Sequence, residues 1–515
     1  MRNRYLYITL LTILGITPEM MAQSNIQFAP RLVVSITIDQ LRTDYMEAFA
    51  PLYGNDDFKR LMQQGMVFPN ANYPFSPIDR ASASASVVTG VTPYYHSIVS
   101  QKWLDRESLR PVYCTGTEGT PQQLLTSTLG DELKVSTGGN AKVYSIAPFD
   151  DAAILSAGHA ADGAFWMSDE DGKWHTSPFY LNQLPNWLFS LNELRLSATE
   201  KDKLVWEPVI EQSGKYNYYQ HTDNEKPFKH TLKGAERHSQ LKTSGLINAY
   251  VTELAQQCVI QESLGFDRVT DFLAVGYYAG TFNHQAMSEC QLELQDTYVR
   301  LDRELASLIN DIERKVGAEH VLFVVTSTGY SDVESADYEK YRIPTGTFYM
   351  NRTANLLNMY FGAIWGQGRY IESCFRNQMF LNQKLLESKR ISLIDACQRA
   401  QEFLTQLSGV RNVYSSFQLL TSTSEHIQKV RNGYNPERCG DFMVEVSPGW
   451  KLYNEDNQDT QLSRASFIQF PIIFYGAGTK AGRITDRVTV DRIAPTIAKT
   501  IRIRAPNACS AEPLF

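Results

Sequence analysis

The stretch Leu32-Val33-Val34-Ser35-Ile36-Thr37-Ile38-Asp39 decides the fold of this chain. A continuous apolar run rich in β-branched residues is typical of a strand that is buried on both faces of a parallel sheet. Enzymes built on such sheets bind their ligands at the carboxyl ends of the strands. Asp39 stands at that end, so its carboxylate is a candidate metal ligand. Whether it serves as one depends on what the rest of the chain supplies.

Further runs of the same kind predict additional strands, and a long helix lies between two of them. Apolar residues recur at helical spacing from Tyr298 to Val316, and Gly317 is suited to end the helix. Strand, helix and strand in this order indicate a parallel sheet. The predicted fold class is therefore α/β, with a large, mostly parallel sheet sandwiched by helices. The other predicted strands are Lys142–Ile146, Phe272–Tyr277, Val321–Val325 and Phe467–Phe474.

The composition is that of an ordinary globular protein, with 43% hydrophobic and 20% charged residues among 515. The net charge is −7, and no basic block stands out. We therefore expect no nucleic-acid partner. The seven cysteines contain no CxxC pair, which argues against a zinc knuckle.

The N-terminus has the features of a secretory signal peptide. Arg2 and Arg4 precede the apolar stretch Tyr5 to Ile16, and Met20-Met21-Ala22 offers a cleavage site. We predict a signal peptide over residues 1–22, a periplasmic or secreted protein, and no membrane span in the mature chain. An uncleaved N-terminal anchor is the alternative.

Two regions depart from the alternation of strands and helices. Residues from about 165 to 240 are rich in Trp, Tyr, Asn and Lys, and residues from about 330 to 460 carry scattered aromatics and Gly/Pro/Asn clusters. We interpret both as cap-like insertions in a single domain, residues 23–515, lying over the carboxyl edge of the sheet.

Several segments, taken in order, resemble the alkaline phosphatase superfamily. The likeness is to its secreted bacterial phosphate monoesterases, which use a threonine nucleophile and two zinc ions and share the type I phosphodiesterase/nucleotide pyrophosphatase-like fold. The resemblance implies an alkaline-phosphatase-like fold from residue 32 to the C-terminus. The segments begin at Val33, Thr89, Ala157, Thr270, Asp296, Pro471 and Ile493, and read VVSITIDQLRTDY, TGVTPYYH, AGHAADGAFW, TDFLAV, DTYVRLD, PIIFYG and IAPT.

The resemblance also assigns the site positions, and most of them have changed. Asp39 matches the first zinc ligand, but the nucleophile position after Pro77 holds Ile78, which has no lone pair to attack phosphorus. His284 is one residue away from a ligand position. The catalytic and metal centres are therefore predicted to be incomplete. The other ligand positions hold Thr281, Gln285, Ser327, Thr328 and Gln469.

The positions that hold phosphate in the family have changed as well. They are occupied by Gln101, Phe149 and Asp151. A carboxylate in place of an arginine repels a phosphate dianion, by roughly 4 kcal/mol per unit charge at about 4 Å and an effective dielectric near 20. These replacements favour a neutral or cationic ligand.

Other polar residues near these segments have structural interpretations. Asp39 could accept backbone N–H bonds at the start of the next helix or pair with Arg42. Asp79 is suited to cap a helix, and the small residues of the run that contains Ser82, Ser84 and Ser86 suit a helix packed against the sheet. His96 and His159 do not fall on ligand positions, and we interpret both as structural.

The sequence thus predicts a secreted pseudoenzyme of the alkaline phosphatase superfamily that binds a protein partner or a small ligand. No cofactor is expected under this hypothesis. The alternative is an active metal-dependent phosphoesterase or phosphodiesterase with a non-standard nucleophile or metal set, and zinc is expected only in that case.

Overall fold

The computed structural model describes residues 29–56, 58–199, 204–210, 228–331, 338, 340–455, 459–462 and 468–515. The predicted signal peptide, residues 1–22, lies outside them, and so does Phe467. Within the described ranges, every helix is too short or too polar to cross a bilayer.

The chain alternates between strands and helices along most of its length. The strands are β1 (Leu32–Asp39), β2 (Met66–Asn72), β3 (Lys102–Leu104), β4 (Pro111–Tyr113), β5 (Val143–Ala147), β6 (Gly163–Met167), β7 (Trp174–His175), β8 (Leu204–Trp206), β9 (His230–Leu232), β10 (Asp271–Tyr278), β11 (Val321–Ser327), β12 (Gly346–Tyr349), β13 (Ile371–Phe375), β14 (Gln378–Leu381), β15 (Val410–Ser415), β16 (Phe442–Val446), β17 (Trp450–Asn454), β18 (Asp459–Leu462), β19 (Phe470–Gly476), β20 (Gly482–Arg483) and β21 (Val488–Thr489). The α-helices are α1 (Thr43–Phe49), α2 (Phe58–Gln64), α3 (Arg80–Thr89), α4 (Pro93–His96), α5 (Leu129–Ser136), α6 (Asp150–Ala157), α7 (Asn186–Thr199), α8 (Arg237–Lys242), α9 (Ile247–Gln261), α10 (Gln291–Val316), α11 (Met350–Trp365), α12 (Gln383–Ser388), α13 (Leu393–Leu404), α14 (Ser416–Thr421), α15 (Glu425–Asn432) and α16 (Ile493–Ile501).

The main sheet has the strand order β20-β2-β19-β11-β1-β10-β5-β6-β7, and β21 pairs with β2. The predicted strand β1 lies at its centre, parallel to β10 on one side and to β11 on the other. Asp39 is in register with Tyr278, and Ile38 is in register with Ser327. The C-terminal ends of β1, β10 and β11 therefore lie side by side. β19 runs antiparallel to β11. The prediction of an α/β fold with a mostly parallel sheet is confirmed.

The sheet is covered by helices on both faces because its strands are apolar on both. Ile36 and Ile38 of β1 pack on the face covered by α9 and α10, whereas Val33 packs on the opposite face with residues of α3 and α16. The predicted helix before β11 is confirmed, although it begins earlier than expected, at Gln291, and ends at Gly317 with a φ of 101°. The core therefore lies on both sides of the strand that carries Asp39.

Helix α3 begins beside the carboxyl edge of the sheet. The side chain of Asp79 accepts the backbone N–H of Ser82, and the Ser82 hydroxyl accepts the N–H of Asp79, which forms a capping box. This confirms Asp79 as a helix cap. Gly90 ends the helix in the left-handed region, at a φ of 66°. The cap fixes the position of Arg80, the first residue of the helix.

The region from about 330 to 460 contains small sheets of its own. β12, β17 and β18 form one, and β13, β14, β16 and β15 form another, and their helices share a separate apolar core. The region from about 165 to 240 differs, because its first residues belong to β6, and β7 continues the main sheet. The domain boundaries given above remain a prediction.

Candidate active site

The carboxylate of Asp39 lies at the end of β1 and is almost fully buried. Its Oδ1 accepts a hydrogen bond from the hydroxyl of Thr328 at 2.8 Å. Its Oδ2 accepts longer bonds from the Nη1 of Arg80, at 3.4 Å, and from the hydroxyl of Tyr330, at 3.3 Å. The Thr328 hydroxyl also accepts the backbone N–H of Gln40, at 2.9 Å. Groups from α3 and from the loop after β11 therefore hold this carboxylate.

The partner suggested by the sequence was Arg42, and the structure gives Arg42 a different one. Its guanidinium forms a two-point ion pair with Asp44, with distances of 3.0 and 2.6 Å. The backbone N–H of Arg42 donates to the hydroxyl of Tyr298. Arg42 thus faces the start of α1.

Arg80 joins two carboxylates. Its Nε and Nη2 donate to the two oxygens of Asp151, at 2.7 and 3.1 Å, while its Nη1 reaches Asp39. Both aspartates are buried, at 4% and 1% exposure. Arg80 is the first residue of α3, and Asp151 lies in the first turn of α6. One guanidinium is therefore the shared counter-ion of two buried carboxylates.

The surroundings keep Arg80 charged. Burial alone would lower the pKa of Arg80, but the charges of Asp151 and Asp39 raise it well above its ordinary value. The guanidinium carbon also lies 3.6 Å from the ring centroid of Phe149, a cation–π contact. The charge of Asp151, which the sequence analysis expected to repel phosphate, is thus neutralised at short range.

A second cation faces the same ring. The Nζ of Lys242 lies 4.8 Å from the centroid of Phe149 and is buried. It pairs with Asp169 at 2.9 Å and donates to the carbonyl of Met167 at 3.2 Å. Burial and the nearby charge of Asp151 raise the pKa of Asp150, at the start of α6. Both cations that face Phe149 therefore have partners.

Three of the predicted ligand positions lie near Asp39. Ser327 donates its hydroxyl to the carbonyl of Leu41, at 2.7 Å, and Thr328 donates to Asp39 itself. Thr281 follows β10 in a loop whose Ala279 N–H donates to the Asp39 carbonyl, at 2.9 Å. The hydroxyl of Thr281 is buried and has no hydrogen-bond partner among the described residues. All three predicted positions hold neutral hydroxyls.

The two glutamine positions face solvent. Gln285 is exposed in the loop after β10, as is the neighbouring His284. Gln469 is also exposed; its side-chain amide donates to the Oδ1 of Asn70, at 3.0 Å, and its carbonyl accepts the N–H of Thr43. The structure thus brings part of the predicted ligand set together and leaves these side chains outside it.

The predicted nucleophile position lies beside the start of α3. Ile78 is half-buried and packs against the apolar cluster on that face of the sheet. The backbone N–H of Gln101 donates to the Oδ2 of Asp79, at 2.7 Å, and the Nη1 of Arg376 lies 3.8 Å from the same oxygen. The predicted phosphate position Gln101 is therefore near the nucleophile position, but Ile78 carries no atom that can attack.

The described residues do not fit the family's two-zinc centre. Zinc takes three or four N, S or O ligands. Both oxygens of Asp39 already accept hydrogen bonds, and the hydroxyls of Ser327 and Thr328 are bonded within the protein. In the described ranges, three or more His, Cys, Asp or Glu side chains do not group as a metal site would require. Among the described residues, the predicted ligand positions therefore do not offer the three or four donors that a zinc ion takes.

A serine of α3 and a histidine of α4 also meet but cannot act as nucleophile and base. The Nε2 of His96 lies 2.9 Å from the hydroxyl of Ser86, and its Nδ1 accepts the N–H of Ile98, at 3.1 Å. Because Nδ1 is the acceptor, we assign the ring proton to Nε2, which then donates to Ser86. Burial lowers the pKa of His96 to about 3. His159 is likewise bound, to Asp131 and the carbonyl of Leu124.

Arg80 is the site residue that sequence reasoning missed. The sequence showed two carboxylates, Asp39 and Asp151, close to the ends of apolar runs, which is a signal that a counter-ion is needed. It could not show which arginine supplies it, because Asp151 is 71 positions from Arg80 in the chain.

Known proteins are similar to this chain over nearly its whole length. Alkaline phosphatase PafA of Elizabethkingia meningoseptica is 27% identical, with 94% of each chain covered. Alkaline phosphatase PhoV of Synechococcus elongatus is 28% identical, with 93% of this chain and 91% of that protein covered. The crystal structure of wild-type PafA matches with a TM-score of 0.80 and 26% identity, covering 94% of this chain and 98% of that one.

These relatives contradict the prediction that no cofactor is expected. They are alkaline phosphatases, the class for which the resemblance implied two zinc ions, and they point to metal use. The prediction was wrong because it was drawn only from the residues of this chain at the family positions, whereas the relatives that match nearly the whole chain point to metal use.

The family model described as type I phosphodiesterase/nucleotide pyrophosphatase matches residues 33–467. That range begins in β1, includes the residues that surround Asp39, and covers most of the chain. With the structural match to PafA, it confirms the superfamily that the ordered segments indicated. The chain belongs to the type I phosphodiesterase/nucleotide pyrophosphatase family, within the alkaline phosphatase superfamily.

Proposed function

We propose that this protein is a pseudoenzyme of its family, which binds a ligand or protein partner in the cleft at Asp39 and does not hydrolyse phosphate monoesters by the family's threonine route. The observation that carries the proposal is the position of Arg80. Its guanidinium contacts Asp39 and is bound at two points by Asp151. Ile78 supports the proposal, because it offers no attacking atom where the family has its nucleophile.

The charges in the cleft favour a neutral or cationic ligand. Arg80 is shared by two carboxylates, and Lys242 is paired with Asp169. A phosphate dianion would have to compete with these carboxylates, each worth roughly 4 kcal/mol at about 4 Å and an effective dielectric near 20. A ligand that brings no negative charge avoids that competition.

The test is to measure hydrolysis and metal content on the same preparation. We expect the purified protein to hydrolyse an aryl phosphate no faster than its Asp39→Ala variant. The opposite result would be two zinc ions per chain together with hydrolysis that Asp39→Ala abolishes, and it would end the pseudoenzyme proposal. Ile78→Thr is a useful companion, because gain of activity in that variant alone would show that the missing nucleophile is the limiting defect.

One contact favours the competing function, an active phosphoesterase with a non-standard nucleophile and a different metal set. The hydroxyl of Thr328 donates to Asp39 at 2.8 Å, and a carboxylate so placed can take the proton of an attacking hydroxyl. The relatives named alkaline phosphatase point in the same direction. This function predicts hydrolysis of a phosphate mono- or diester that Thr328→Ser retains, Thr328→Val abolishes and a chelator suppresses. Equal activity in the Ser and Val variants would exclude Thr328 as the nucleophile.

The place of action is part of the proposal. The charged start and apolar stretch of residues 1–22 support export to the periplasm or beyond. We expect N-terminal sequencing of the protein from its native host to begin at Gln23. A chain that begins at Met1 and remains in the cytoplasm would contradict this.

A further inference from the structure

A cavity runs beneath Arg80, between the main sheet and the two helices α3 and α6. Its floor is formed by residues of β1, β5 and β10, and its roof by one side of each helix. At one end it reaches Asp39 and Thr328, the groups that form the candidate site. The cavity is thus an extension of that site into the interior.

This space stays open because small residues recur at the spacing that places them on the strand and helix faces that line it. Ser35 and Thr37 are two apart in β1, so they face the same side of the sheet as Asp39. Arg80 and Ser84 are four apart in α3 and lie on one face of the helix. Small side chains on both layers leave a gap where larger ones would touch.

The cavity is polar, and its hydroxyl groups lack protein partners. Ser35, Ser84, Ser145 and Ser156 all line it and are at most 9% exposed. None of their hydroxyls forms a hydrogen bond to another residue in the part of the chain that the structure describes. The neighbouring Ser86, by contrast, is bonded to His96. Hydroxyls that face a space large enough for water and form no bond to the protein are satisfied by an occupant of that space.

The size and charge of the cavity limit what that occupant can be. The space open to the centre of a water molecule is about 20 Å³, and a polar site needs roughly 10–15 Å³ by that measure to hold one water. A phosphate group is too large. Among the described residues, Arg80 is the one cation in its lining, and it is already matched by Asp39 and Asp151. The space therefore does not call for a charged group.

The cavity is also reachable from outside. Thr37 lies in the central strand of the sheet but is partly exposed, whereas its neighbours Ile36 and Ile38 are fully buried. Its accessible surface therefore faces the cavity. An occupant can enter from the cleft beside Arg80 without the sheet opening.

We propose that this cavity is a binding subsite for one small uncharged hydroxyl group, held by Ser35, Ser84 and Ser145. In the free protein water supplies that group. In the bound protein a hydroxyl of the cleft ligand replaces it. The second statement rests on the proposed binding function, whereas the first does not.

A crystal structure of the full chain at about 1.5 Å resolution tests the first statement. We expect an ordered water within hydrogen-bond distance of the Ser84 and Ser145 hydroxyls, and its loss in Ser84→Val, which fills the space with methyl groups. Ser86→Ala is the matched control, because it removes a serine from the same helix outside the cavity and should leave the water in place. A wild-type cavity with no density, or one closed by contacts between the serines, would overturn the proposal.

Ethylene glycol is the probe for the second statement. Soaked crystals of the wild type should show a glycol hydroxyl in place of the water, and Ser84→Val crystals should not. If the water remains in the soaked wild type, the site is assigned to water alone and the ligand subsite is rejected. Metal content and phosphate hydrolysis, which decide the proposed function, do not enter either result, so the two proposals can fail separately.

Discussion

Two partly buried arginines, Arg80 in the cleft and Arg106 at the turn between β3 and β4, hold aspartates in different ways. Arg106 binds both oxygens of a single carboxylate, Asp441, at 3.3 and 3.2 Å, and donates to the carbonyl of Cys439. Asp441 also accepts the backbone N–H of Leu381, at 2.8 Å. This arrangement has one charge of each sign and joins the β3–β4 hairpin to the four-stranded sheet.

The Arg80 cluster has one positive charge for two carboxylates. Asp151 takes the two short bonds, and Asp39 receives the longer one. Asp39 also accepts hydrogen bonds from the hydroxyls of Thr328 and Tyr330. The two clusters differ in charge balance: Arg106 pairs with one carboxylate and joins two parts of the fold, whereas Arg80 is shared by two carboxylates, one of them at the end of β1.

Replacing the arginines should give the largest difference in stability between the Arg80 cluster and the Arg106 cluster. Arg80→Met leaves two buried carboxylates without a counter-ion and should lower the free energy of unfolding by about 3–5 kcal/mol. Arg106→Met leaves one carboxylate that keeps the Leu381 N–H, and we expect about 1–3 kcal/mol. Urea denaturation at pH 7 measures both. A larger loss for Arg106→Met would contradict the shared counter-ion.

Replacing one carboxylate in each cluster should reverse the order of the stability losses. Asp151→Asn leaves Arg80 paired with Asp39, so its cost should be about 1 kcal/mol. Asp441→Asn takes away the only carboxylate bound to Arg106 among the described residues, and we expect about 2–3 kcal/mol. The same denaturation assay applies. Equal losses for the two variants would show that Asp39 does not support Arg80.

Acid should weaken the helix that carries Arg80. The pKa of His96 in the folded protein is lowered to about 3 by burial, so the unfolded chain binds the proton first as the pH falls below about 6.5. The stability that His96 contributes is therefore present above pH 6.5 and is lost toward pH 3, by about 2 kcal/mol at pH 5. Melting curves of the wild type and His96→Gln between pH 7.5 and 5 measure the difference.

His159 is the matched control for that experiment because its shift has the opposite sign. Its hydrogen bond to Asp131 raises the pKa of His159. Its contribution is thus present below pH 6.5 and is lost as the pH rises through the raised pKa. If His159→Gln removed the acid sensitivity and His96→Gln did not, the assignment to His96 would be wrong.

The smallest losses of stability are expected for the residues that join the start of α3 to the four-stranded sheet. Asp79→Ala removes the cap of α3 and should cost about 1 kcal/mol. Arg376→Ala removes the 3.8 Å contact to Asp79 and a long cation–π contact to Phe375, at 6.0 Å, and should cost less than about 0.5 kcal/mol. Thermal unfolding of both variants checks this order. A large effect of Arg376→Ala would mean that the two regions are coupled through that contact.

The sequence was most informative where the pattern is local. The apolar run before Asp39, the helical spacing from Tyr298 to Val316 and the cap at Asp79 are set by neighbours along the chain, and the structure confirms all three. The antiparallel direction of β19 was not predicted, because the direction of a strand depends on the path of the chain between strands.

The site was less predictable because its contacts join distant parts of the chain. The positions near Asp39 were identified by family order, and the structure places Thr328 in contact with it. The partner of Asp39 was not predicted, since Arg80 is 41 residues away and Tyr330 is 291. The run of serines shows the same limit, because Ser82, Ser84 and Ser86 look alike in sequence. Yet one completes the capping box with Asp79, one lines a cavity and one binds a histidine.

The register of β1 has a consequence for re-engineering the site. Because β1 is paired along its length with β10 and β11, the backbone at its end is set by the sheet and not by the side chains of the site. Side chains introduced at Ser327 and Thr328 would therefore emerge from a fixed frame beside Asp39. A design that introduces metal ligands there must also account for the guanidinium of Arg80, which contacts the Oδ2 of Asp39 at 3.4 Å.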